Sequence, residues 1–127
     1  MCKLFIRTII ILMVAASFSC QTKKEECGVN HVVLCWLKDK SAGTMQTFLA
    51  SVDSLKSIPA VQSISHGKTV QSVEPVADNS FDVGFIVKFK DKAGLDSYLV
   101  HPDHLKAVEE VLKPSLKKVI VYDFESN

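Results

Sequence analysis

At 127 residues, 47 % hydrophobic against 23 % charged and 8 % aromatic, the chain has the length of one domain and the composition of a packed core, which excludes disorder. Its formal charge of +1 depends on Lys3 and Arg7 near the start; without those two, 13 lysines face 14 acidic residues and no arginine is left. Such a near-neutral chain offers no basic face to nucleic acid and little attraction to an anionic lipid surface.

Residues 1–19 read as a secretory signal. Lys3 and Arg7 give a short positive start, and the apolar run Ile9 to Ala16 is too short to span a bilayer. The Ser17-Phe18-Ser19-Cys20 stretch resembles the lipobox of bacterial lipoproteins, although that pattern prefers leucine at Ser17 and a small residue at Phe18. The resemblance implies lipid attachment at Cys20 and a membrane-anchored protein of the bacterial cell envelope, on its periplasmic or surface face. An ordinary cleaved signal and an uncleaved anchor fit the same residues. Residues 20–29, with Lys23-Lys24-Glu25-Glu26, then form a solvated tether. Export means an oxidising compartment. If residues 28–35 are extended, however, Cys27 and Cys35 lie roughly 25 Å apart, whereas a disulfide needs Cα atoms within about 7 Å. Cys35 is therefore expected as a buried small hydrophobe and Cys27 as an exposed thiol.

His31-Val32-Val33-Leu34-Cys35-Trp36-Leu37 predicts a first strand buried on both faces, with His31, Val33, Cys35 and Leu37 on one and Val32, Leu34 and Trp36 on the other. From Thr44 to Ser57, Met45, Phe48, Leu49, Val52 and Leu55 fall on one helical stripe that Ile58-Pro59 closes. A second strand is expected from about Val61 to Val73, through His66, followed by a polar loop. Phe81, Val83, Phe85, Val87 and Phe89 then alternate without a break, a strong strand signal. Asp91 caps a short helix bearing Leu95, Tyr98 and Leu99, and Pro102 opens another at its first turn. His104, Val108 and Val111, with Leu105 and Leu112 alongside, give that helix its apolar side, and Pro114 is expected to end it. Leu116 to Glu125 is the last strand.

The order β-α-β-β-α-α-β predicts an α+β, ferredoxin-like unit, one antiparallel sheet with its helices on one side. Since the first strand is apolar on both faces, the second face needs a cover, and the cheapest in so short a chain is a second copy of itself. A homodimer is the expected assembly.

The chain resembles the stress-responsive dimeric α/β-barrel (Dabb) domain family over about residues 30–125. The resemblance is carried by His31-Val32-Val33-Leu34, Ile58-Pro59, Gly67-Lys68, Phe81 to Phe89, Tyr98-Leu99-Val100-His101-Pro102-Asp103-His104 and Val121-Tyr122-Asp123 in this order. It implies a dimeric barrel with helices outside. A distant likeness to one plant member, olivetolic acid cyclase, implies a working pair at Tyr98 and His104 and a pocket histidine at His31. The chain departs from that enzyme at Val83, where the cyclase has a further pocket histidine, and at Ser51, where it has an aromatic residue.

Tyr98 and His104 are the candidate catalytic groups: an imidazole can take a proton alpha to a carbonyl while a phenol stabilises the enolate oxygen, with no cofactor. Without chemistry, the same two residues pack a helix corner. His31, Val33, Phe48, Val83 and Phe85 are the candidate lining of a ligand pocket; the bland reading of the apolar row is plain core. His101 fits a helix N-cap, and its spacing from His104 is not accompanied by the Cys or carboxylate ligands a metal site needs. His66 reads as structural or exposed. No phosphate loop or nucleophile elbow is present in the sequence. Three functions follow: a tethered domain binding a small apolar or aromatic molecule, a cofactor-free cyclase or lyase acting on a β-keto substrate through Tyr98 and His104, or a structural, stress-associated interaction module.

Overall fold

The computed structural model describes residues 27–127. The expected signal and Cys20 lie outside these described residues. The central element is β1 (Gly28–Leu37), which begins two residues inside the span expected for the tether. It lies between β3 (Val83–Phe89) and β4 (Leu116–Ser126), both antiparallel to it, and β2 (Ser63–Lys68) completes the sheet in the order β2-β3-β1-β4. This is the α+β, ferredoxin-like arrangement expected from the element order.

Period-two alternation explains β1 and β3. Val29, His31, Val33, Cys35 and Leu37 of β1 turn to the helix side and are buried, as are Val83, Phe85, Val87 and Phe89 of β3. On the other side Val32, Leu34 and Trp36 are only half-buried, and Tyr122 and Phe124 of β4 are exposed. The second face of β1, expected to be buried, is thus uncovered within a single chain because all helices lie on the first.

α1 (Ala42–Ser54) starts at the Ser41 cap, buries Met45, Phe48 and Val52, and tightens into a 3₁₀ turn, Leu55–Ser57, before Ile58. α2 (Lys92–Leu99) is capped by Asp91, whose carboxylate accepts the Gly94 N–H at 2.9 Å. α3 (Pro102–Ala107) is capped by His101, whose Nδ1 accepts the Asp103 N–H at 3.2 Å.

Other expectations are corrected by the fold. Pro114 does not end the last helix. α3 runs into a π turn, Val108–Leu112, and a final α turn, Lys113–Ser115. The widened turn hands the Lys113 N–H to the Val108 carbonyl, and the Ser115 hydroxyl donates to the Val111 carbonyl at 2.7 Å, so the proline ring is accommodated. On this helix Ala107 and Leu112 are buried, while Leu105 faces solvent. The strand expected from Val61 to Val73 is confined to Ser63–Lys68, because its partner among the described residues, β3, begins at Val83 opposite Lys68; Val70 and Val73 lie beyond it, exposed. β3 itself starts two residues later than its alternating row, at Val83. Cys27 and Cys35 are both free, the first exposed and the second buried, and no described helix is long and apolar enough to cross a membrane.

Ile58 and Val73 give a direct test of where the core sits. Ile58 is 1 % exposed and Val73 fully exposed. Ile58→Ala should cost about 2–4 kcal/mol in urea unfolding with an unchanged m-value, and Val73→Ala less than about 0.5 kcal/mol.

Candidate functional site

The register between β1 and β4 creates the first contact of the site. His31 and Asp123 are directly opposite, both on the helix side, and His31 Nδ1 lies 2.7 Å from Asp123 Oδ1. A carboxylate accepts only, so the imidazole donates from Nδ1. Above this pair α2 delivers Tyr98, 1 % exposed, whose ring centroid is 5.9 Å from that of His31 and 5.0 Å from that of Phe89. The proline-initiated turn of α3 then brings His104 against the other face of the corner, 4.4 Å from Tyr98 between centroids and tilted by 47°.

His104 Nδ1 lies 3.2 Å from the Leu99 carbonyl oxygen. A carbonyl also only accepts, which places the proton on Nδ1 and the lone pair on Nε2. Burial lowers the His104 pKa below its ordinary 6.5, reinforced by the charges His31 and His101 would carry, while the Leu99 bond opposes the shift. Burial likewise drives the Tyr98 phenol well above its usual range. The corner therefore holds a neutral imidazole with a free lone pair beside a phenol that stays protonated: a base next to a donor. Among the described residues the Tyr98 hydroxyl has no hydrogen-bond partner and is available to a ligand.

These groups line one end of a cavity of about 590 Å³. Its floor is His31, Val33 and Cys35 of β1 with Phe85 of β3, Phe48 of α1 closes it from above, and Val119 and Val121 of β4 flank it. The π turn contributes Val108, Glu109 and Leu112, and Lys113 and Leu116 to Lys118 complete the wall. Burial pushes the Cys35 thiol pKa up to about 12, so it is an apolar wall atom rather than a nucleophile.

The structure brings most of the expected site residues together. Tyr98 and His104 meet at the helix corner, and His31, Val33, Phe48 and Phe85 all line the same cavity. Val83 does not: it pairs with Cys35 on the side away from β4 and is fully buried in the core. His101 is spent on its helix cap, and His66 is paired with Asp53 at 3.2 Å, away from the cavity. Among the described residues no group of three or more His, Cys, Asp and Glu is placed to hold a metal ion. Sequence reasoning missed Asp123 as a site residue. The available signal was a carboxylate on the same strand parity as Val119 and Val121, opposite a histidine on the apolar parity of β1. The π-turn wall had no such signal.

The depressed His104 pKa has a consequence for stability. Between the folded value and 6.5 the unfolded chain binds more protons than the folded one, so this contribution is present above 6.5 and is lost as the pH falls below it. An NMR titration should place the His104 midpoint below 6.5, and His104→Asn should flatten the fall in urea-unfolding stability just below that pH. A midpoint above 6.5 would contradict the burial of this ring.

The fold has counterparts in solved structures. A ferredoxin-like Dabb family protein from Mesorhizobium loti is 26 % identical, with a TM-score of 0.66, over 77 % of this chain and 95 % of that one. A protein of unknown function from Jannaschia sp., described as dimeric and ferredoxin-like, is 26 % identical with a TM-score of 0.61, over 78 % and 99 %. The hydroxynitrile lyase of Passiflora edulis shares the fold at 20 % identity and a TM-score of 0.69, over 80 % and 94 %. No curated protein sequence matches the chain. The model of the stress responsive A/B barrel domain, however, matches residues 29–126, well over half of the sequence, and it spans every strand and helix that builds the cavity. The chain belongs to the stress responsive A/B barrel (Dabb) domain family.

Proposed function

We propose that this domain binds a small apolar or aromatic molecule in the cavity between the helices and the β1–β4 half of the sheet. The observation that carries this reading is the shape of the site: an apolar trough of about 590 Å³ ending on three polar side chains, His31, Tyr98 and His104. Ligand sites are commonly concave and apolar with a few converging polar groups. A module acting only through its outer surface has no use for such an interior. The neutral fluorophore N-phenyl-1-naphthylamine should bind saturably. Val121→Trp, at a half-exposed position on the cavity wall, should abolish that binding with the fold intact. Unchanged binding in the variant would contradict the reading.

A second reading, cofactor-free proton transfer on a β-keto substrate, is favoured by one specific feature, the packing of the His104 ring against the Tyr98 ring, 4.4 Å between centroids, at one end of the cavity. His104 Nε2 takes the α-proton, the electron pair moves to the carbonyl oxygen, and the Tyr98 O–H donates to the enolate that forms. The His31–Asp123 pair holds a second imidazole beside the same ring. Such general-base steps are worth on the order of 10²–10⁴ in rate. Deuterium exchange at the α-carbon of a β-keto ester should therefore fall at least about tenfold in His104→Ala and also in Tyr98→Phe. Equal rates in wild type and both variants would remove the catalytic reading and leave binding.

The assembly belongs to the same proposal. Val32, Leu34, Trp36, Ile120, Tyr122 and Phe124 form a helix-free apolar face, and the dimeric description of the Jannaschia relative supports covering it with a second copy. Light scattering should give twice the chain mass, and Val32→Glu with Tyr122→Glu should give one. The Cys20 sequence supports lipid attachment at the bacterial cell envelope. Incorporation of a labelled fatty acid should disappear in Cys20→Ala.

A further inference from the structure

The cavity is chemically asymmetric along its length. His31 and Cys35 are four residues apart on one strand, so the trough from the imidazole end to the level of Cys35 is on the order of 13 Å long. Between the two ends the lining used by a ligand body, Val33, Phe48, Phe85 and Leu112, carries no charge. Past Cys35 the wall changes character, because the last helical turn and the start of β4 bring lysines to the mouth.

These lysines are not equivalent. Lys118 extends its ammonium over the Trp36 ring, 4.3 Å from the centroid, on the helix-free side of the sheet. Lys113 pairs with Glu109 at 3.2 Å, and both are well exposed. Lys117 makes no ion pair within 4 Å among the described residues; the carboxylate that feels its charge, Asp82, is paired directly with Lys40 at 2.8 Å and lies outside the cavity wall. Among the cavity-lining residues the mouth therefore holds two ammonium groups against one carboxylate, while the opposite end holds the Tyr98 hydroxyl, which can donate to a carbonyl, and the His104 Nε2 lone pair, which can accept from a hydroxyl. A purely apolar molecule would match the middle and neither end.

We propose that the ligand is an amphiphilic anion, its charged head at Lys117 and Lys113, its apolar body along Val33, Phe48 and Phe85, and its carbonyl or hydroxyl end at Tyr98 and His104. This rests on the small-molecule reading of the cavity and names the class of molecule. An ammonium is a point charge that accepts carboxylate and phosphate heads alike, so the two are separated by experiment.

The test compares decanoate, decyl phosphate and 1-decanol at monomeric concentrations, each displacing N-phenyl-1-naphthylamine from the protein. At low salt at least one of the anions should bind about fivefold or more tightly than 1-decanol, since exposed ion pairs contribute modestly. That advantage should shrink in about 0.5 M salt. It should vanish in Lys113→Gln/Lys117→Gln, in which 1-decanol binds as before. The tighter anion identifies the head group. Equal binding of all three probes, or an advantage that persists in the double variant, overturns the anionic assignment while the apolar-ligand reading stands. Binding of none of them overturns both.

Discussion

The register of β1 is the constraint on which the rest of this structure depends. This strand is paired on both edges, and its side chains alternate between a helix-covered face and an open one. A slip of one residue would turn His31, Val33 and Cys35 to the open face and drive Val32, Leu34 and Trp36 beneath the helices. It would also separate His31 from Asp123, whose 2.7 Å contact exists only because the two residues are directly opposite. The hydrophobic pattern that fixes the core therefore also builds the polar end of the cavity. Packing energy, which is large and spread over many residues, holds in place a contact that by itself would contribute little.

Burial gives the corner its chemistry. The apolar wall that encloses Tyr98 and His104 disfavours the charged form of each, and for these two groups the effect has opposite signs: the phenol keeps its proton and the imidazole gives its proton up. The result is a donor and an acceptor whose rings lie 4.4 Å apart between centroids, with burial as the largest influence on the state of each. The hydrogen bond to the Leu99 carbonyl selects which nitrogen of His104 is free. The π turn contributes space. By widening the helix at Val108–Leu112 it places Val108 and Leu112 as cavity wall and carries the chain past Pro114 to the start of β4.

Much of this was legible in the residues. The unbroken alternation of Phe81 to Phe89 and the apolar run at Val32 to Leu37 announce β3 and β1, since each row must sit on a pleated surface with one face covered. Asp91 and the His101-Pro102 step announce helix starts, because an accepting side chain and a missing N–H belong there. The helical pattern on either side of that corner turned Tyr98 and His104 toward the interior, and the family resemblance marked them as a pair. What was not legible depended on partners far away in sequence. Asp123 becomes a site residue only through its pairing with His31, the end of β2 coincides with the start of β3, and Val83, opposite Cys35, is fully buried in the core rather than in the cavity wall. Pro114 misled for a local reason, since its usual conflict with an α-helix is relieved by a π turn that no sequence period reveals.

The central claim is that the interior between the helices and the β1–β4 pair receives a small molecule at the Tyr98–His104 end. The most direct measurement is an NMR titration with N-phenyl-1-naphthylamine, following the ring protons of Tyr98, His104, His31 and Tyr122 and the nuclear Overhauser effects from probe to protein. The account predicts saturable shifts of Tyr98, His104 and His31 with a single dissociation constant and effects from the probe to the Tyr98 ring, while Tyr122 on the open face stays still. Shifts confined to Tyr122, or none at Tyr98 and His104, would contradict it.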